Sequence, residues 1–124
     1  MPAKRPEQTS QLLAEALKSG ELEAALALYE ADATFFTDVG QSVTGSAAIR
    51  EVFTDFVATK PILEIENVVS AISGDIALTQ NKWTFKSIEP DGSPVQGAGN
   101  SAEVVRRQPD GTWKFIIDNP WGTG

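Results

Sequence analysis

The chain has 124 residues, enough for one domain with a modest core. Its net charge of −7 argues against a nucleic-acid partner, and no apolar run reaches the length of a membrane span. It contains no histidine and no cysteine, so proton chemistry falls to carboxylates, lysines or the single tyrosine, Tyr29, and no metal site is expected.

The opening segment "MPAKRPEQTS" is polar. Residues 1–9 are expected to be a flexible end, and 10–122 a single domain. The segment has no apolar signal core, and the chain has no cysteine to form disulfides. Both features lead to the expectation of a cytoplasmic protein. Leu12, Leu13, Ala16 and Leu17 recur at helical spacing until Ser19-Gly20. A second helix follows, with Leu22, Ala25, Leu26 and Tyr29 on one face and Glu21 and Glu23 in its first turn. "DATFFTD" reads as a short strand and "VGQSVTG" as a turn or loop. A third helix aligns Ile49, Val52, Phe53, Phe56 and Val57 and stops at Lys60-Pro61, where the proline disfavours helical geometry in the residue before it.

Beyond Pro61 the helical period disappears. "ILEIENVVSAI", "IALTQNKWTFKSI", "VQGAGNSAEVVRRQ" and "TWKFIID" are strands separated by Ser73-Gly74-Asp75, "EPDGSP" and "PDG", all hairpin signals. The class is α+β: about three helices packed on a strongly curved antiparallel or mixed sheet. Long strands twist and curl, and a curled sheet covered by helices encloses a conical pocket suited to a small, apolar molecule.

The stretches "GELEAALALYEADATFF", "TGSAAIREVF" and "VVRRQPDGTWKFIIDNPWG" resemble the NTF2-like superfamily, within it the SnoaL-like and DUF4440 group of ketosteroid isomerase homologues. The resemblance implies a cone-shaped fold and a cofactor-free site. It also implies a homodimer formed through the outer sheet face. Of the isomerase catalytic positions, the strand base falls on Thr37, the oxyanion tyrosine on Leu13 and the protonated acid on Glu103. In the limonene-epoxide-hydrolase branch the two acids fall on Glu103 and Asp118. The arginine of that branch falls on Ser101, its tyrosine on Phe35 and its asparagine on Thr37.

Glu103 and Asp118 are therefore the candidate catalytic pair. They lie eight residues before and seven after Gly111, on adjacent strands with apolar neighbours that would raise their pKa values. The competing reading pairs Glu103 with Arg106, Arg107 or Lys82 and makes Asp118 a cap for Asn119-Pro120. Leu13, Leu17, Phe35, Thr37, Phe53, Trp83, Phe85, Ser101 and Ile116 are expected to line the pocket. Asp38 is one residue out of phase with Thr37 and is expected to face away unless a bulge intervenes. Trp113, Phe115 and Ile117 have the opposite parity to Asp118 and are expected on the outer sheet face. Two functions remain open: an acid–base enzyme (isomerase, cyclase, dehydratase or hydrolase) and a non-catalytic dimeric binding or accessory domain.

Overall fold

The computed structural model describes residues 2–122. The elements run α1 (Gln8–Lys18), α2 (Leu22–Leu26), β1 (Tyr29–Asp38), β2 (Gln41–Thr44), α3 (Ser46–Ala58), β3 (Ile62–Ser73), β4 (Ile76–Ile88), β5 (Pro94–Arg107) and β6 (Trp113–Asn119). Three helices thus cover one face of a strongly curved, open sheet ordered β2-β1-β6-β5-β4-β3. The sheet is mixed, because β1 and β6 run parallel while the other neighbours are antiparallel. The segment read as a loop at 39–45 contains β2, which forms a hairpin with β1.

Alternation along β4 and β5 sorts side chains onto two faces, as a two-residue period requires. Ala77, Thr79 and Asn81 are buried beneath the helices, whereas Leu78, Gln80 and Lys82 are exposed on the other face. The core gathers Phe53 and Ile49 from α3, Leu13 and Leu17 from α1, Val105 from β5, and Trp113 and Phe115 from β6. Ala3 belongs to it too. It lies within the segment expected to be loose, yet it is fully buried and bridges Trp113.

Register shifts interrupt four ladders, the one between β1 and β6 across Tyr29–Thr34 and three others that are single-residue bulges. The ladder of β5 and β6 pairs Val104 with Ile117 but Val105 with Phe115, leaving Ile116 as the extra residue. That single insertion reverses parity, so Trp113 and Phe115 are core residues and not outer-face aromatics. Only Ile117 of that expected trio is exposed. A second bulge places Thr37 between Phe36 and Asp38, and a third places Val68 between Asn67 and Val69.

α2 ends at Leu26, and Tyr29 opens β1 in place of extending the helix. The reason is tertiary: the Leu28 carbonyl accepts the Phe115 amide N–H at 2.8 Å, which draws the chain into the sheet beside β6. At the other end of the helical layer, Lys60 takes a left-handed conformation with φ 54° before Pro61, and α3 stops there.

Candidate functional site

The helices and the curved sheet form a half-open cavity of about 570 Å³. Its walls include Leu13 and Leu17 of α1, Phe35 and Thr37 of β1, and Phe53 and Phe56 of α3. β4 contributes Trp83 and Phe85, β5 Ser101 and Glu103, and β6 Asp118, with Trp121 beyond it. Of the residues expected to line a pocket, Ile116 alone is not part of the wall. It is the bulged residue of β6, and its insertion is what turns Asp118 inward. Asp38 stays exposed although a bulge does occur beside it; Thr37 absorbs the extra residue, and Asp38 Oδ1 accepts the Val39 amide N–H at 2.7 Å.

Glu103 and Asp118 are direct cross-strand partners on β5 and β6, 3% and 4% exposed. Neither makes the surface contacts of the competing reading. Arg106 pairs with Glu30 at 2.9 Å and Arg107 with Asp75 at 2.8 Å, while Asn119, not Asp118, caps the terminal turn by accepting the Trp121 N–H. Glu103 Oε1 accepts hydrogen bonds from Thr79 Oγ1 at 2.7 Å and Asn81 Nδ2 at 2.8 Å. Asn81 in turn donates to Ser10 Oγ at 3.2 Å and accepts from Asn67 Nδ2 at 3.2 Å, so a polar belt crosses the inner face from β3 to β5.

Tyr29 completes the belt on β1. Its buried hydroxyl donates to Asp118 Oδ2. Helical periodicity hid this residue, since Tyr29 continues the spacing of α2; no short-range signal marks it as a partner of Asp118. It reaches the acid from a different element than Leu13, which occupies the position of the isomerase tyrosine and supplies only apolar wall.

Burial pushes the Asp118 carboxyl up to about 8, the Glu103 charge adds to the rise, and the Tyr29 hydrogen bond opposes it. Burial also raises Glu103, against the donors that surround it. For Tyr29, burial and the two neighbouring carboxyls hold the phenol well above its ordinary value. Glu103 is held down by Thr79, Asn81 and Ser101 and Asp118 by Tyr29 alone, so the ionised form is better stabilised at Glu103. A proton shared by the pair is therefore held preferentially on Asp118. This arrangement can accept a proton at one carboxyl and deliver one from the other. Among the described residues no group of three or more acidic, histidine or cysteine side chains is placed to hold a metal ion.

The aromatic wall depends on two glycines. Gly97 and Gly99 of β5 face Phe85 and Trp83 of β4 in register. A Cβ on Gly99 would lie 2.6 Å from Trp83 Cζ2, and one on Gly97 2.7 Å from Phe85 Cε1. The rings therefore lie over the β5 backbone instead of standing in the cavity. Trp83 is fixed there by donating its Nε1–H to the Pro120 carbonyl at 2.6 Å, and Trp121 meets it edge-on at 6.1 Å.

Several solved structures share this architecture. An NTF2-like superfamily protein from Salmonella enterica is 18% identical with a TM-score of 0.78, over 94% of this chain and 89% of that one. A ketosteroid isomerase-like protein from Erwinia carotovora is 16% identical with a TM-score of 0.79, over 90% and 88%. A protein of unknown function with a cystatin-like fold from Nostoc punctiforme is 17% identical with a TM-score of 0.75, over 90% and 84%. At these identities the likeness is one of fold. A comparison with functionally curated proteins gives no match. Residues 10–115 match the SnoaL-like domain, and over that span the chain belongs to the SnoaL-like domain family.

Proposed function

We propose that the cavity is the active site of a cofactor-free acid–base enzyme acting on a small, largely apolar molecule. Glu103 is the proton acceptor and Asp118 the proton donor, in an isomerisation, cyclisation, dehydration or hydrolysis. The observation that carries this reading is the direct pairing of two buried carboxyls in a largely apolar cavity. A cavity filled by its own side chains would have favoured a non-catalytic binding domain. The likeness to a ketosteroid isomerase-like protein is compatible with proton transfer but names no substrate.

The test is carbon–hydrogen exchange and turnover with a panel of small apolar ketones, epoxides and alcohols in deuterated water. Glu103→Gln and Asp118→Asn should each lower the rate by about 10²–10⁴-fold, the usual contribution of a positioned acid or base. Undiminished rates in both variants would remove the proposal.

The same reading includes a homodimer through the outer sheet face. Leu78 and Ile117, each 41% exposed, flank Val104 in register across β4, β5 and β6. A second copy would cover this apolar row, which is otherwise left to water. Leu78→Lys is expected to convert a dimer to a monomer in analytical ultracentrifugation. A parent protein that sediments as a monomer at every concentration would count against it.

A further inference from the structure

The buried end of the cavity has a specific unmet demand. Glu103 Oε1 is used by Thr79 and Asn81, and Asp118 Oδ2 by Tyr29. Glu103 Oε2 and Asp118 Oδ1 have no hydrogen-bond partner among the described residues. Ser101 Oγ, on a residue 5% exposed that lines the cavity two positions before Glu103, is buried beside the Glu103 carboxyl, which its hydroxyl helps to keep ionised, and forms no well-aligned hydrogen bond. Three oxygens at neighbouring positions of β5 and β6 therefore have lone pairs free to accept from a ligand once the proton shared by the carboxyl pair leaves.

Charge narrows the ligand further. The wall contains three acids, Asp55, Glu103 and Asp118, and no lysine or arginine. The arginines nearest in sequence, Arg106 and Arg107, are engaged outside the cavity by Glu30 and Asp75. An anionic ligand would meet only repulsion there. A neutral hydroxyl has a single donor for three acceptors, whereas a protonated primary amine has three donors and a positive charge.

We propose that the cavity takes a protonated primary amine carried on an apolar body. The ammonium sits among Glu103 Oε2, Asp118 Oδ1 and Ser101 Oγ, and the body lies along Trp83 and Phe85. The proposal rests on the reading of this cavity as a ligand site and names its ligand class. Binding a cation there displaces the proton shared by the carboxyl pair, because the two charges compete for the same oxygens. The titratable groups facing the ammonium are Glu103 on β5, Asp118 on β6 and Tyr29 on β1, with Asp55 of α3 also in the wall. β4 and α1 present the uncharged Thr79, Asn81 and Ser10.

The experiment titrates the full chain with 2-phenylethylamine and with its near-isostere 2-phenylethanol, by calorimetry in buffers of different ionisation enthalpy. The amine is expected to bind about tenfold more tightly or better, the scale of one charge-assisted hydrogen bond, and to release a proton on binding. Glu103→Gln should abolish the preference for the amine over the alcohol, and Ser101→Ala should reduce it several-fold. The alcohol binding as tightly as the amine would overturn the amine proposal and leave the ligand-site reading intact. Amine binding unchanged in both variants would place the cation on the acidic outer surface and overturn it too. No binding of either compound would remove both readings.

Discussion

Raising the pH from about 6 to about 9 is expected to destabilise the protein by a few kcal/mol, and Asp118→Asn to remove most of that loss. The sign follows from where the protons are held. An unfolded aspartate titrates near 4, whereas in the folded chain burial and the Glu103 charge lift Asp118 to about 8. Between those values the native state binds the proton and the unfolded state does not. Each pH unit in that interval therefore costs about 1.4 kcal/mol per proton held. The stabilisation is fully present below the unfolded pKa and is gone once the pH passes the folded one. Glu103, also raised, acts in the same direction. The lowered pKa values of Asp91 and Asp110 belong to exposed groups whose contribution is lost only in acid, outside this interval. Urea unfolding of parent and variant across the range reads the effect directly. Parallel pH curves for the two proteins would mean that Asp118 does not hold the proton.

Phe53→Ala is expected to cost about 3–5 kcal/mol, the range for deleting a buried phenyl ring. Phe53 is 2% exposed and stands at the centre of an aromatic group. Its ring meets Tyr29 edge-on at 5.6 Å and Phe35 at 5.3 Å, and Tyr29 in turn lies 4.6 Å from Phe115. Removing it leaves the Tyr29 ring without its lateral support and so loosens the hydroxyl that holds Asp118. Phe56, one turn later on the same helix face, is only half-buried and packs toward Phe85. Phe56→Ala should cost less than half as much. Denaturant midpoints at constant m-value provide the measurement, and equal losses for the two variants would show that the ring cluster around Tyr29 is not a centre of stability.

Much of this architecture is legible in local patterns. The helical faces of α1 and α3 follow from the spacing of Leu13, Leu17, Ile49 and Phe53, and the hairpins follow from "SGD", "PDGSP" and "PDG". These signals are short-ranged: a periodic apolar stripe or a turn tripeptide is complete within a few residues. The absence of histidine confined proton chemistry to carboxylates, and the distance of Glu103 and Asp118 from Gly111 placed them near each other on the last hairpin.

Their facing geometry was decided elsewhere. Continued from Val105–Phe115 without interruption, the ladder would set Glu103 against Ile117; the extra residue at Ile116 sets it against Asp118. A bulge is favoured here because it buries Trp113, Phe115 and Asp118 on one face, a requirement that only the packed sheet and helices impose. Tyr29 shows the same division. Its spacing from Leu22, Ala25 and Leu26 is helical, and the chain alone assigns it to α2. Pairing with β6, far along the sequence, overrides that preference and delivers the hydroxyl to Asp118. By itself the sequence determined most of the elements, the acids available and the strands that carry them. The tertiary structure decided which face each acid occupies and which tyrosine holds one of them. Those choices depend on register between distant strands, and register is settled by the burial that the whole fold achieves at once.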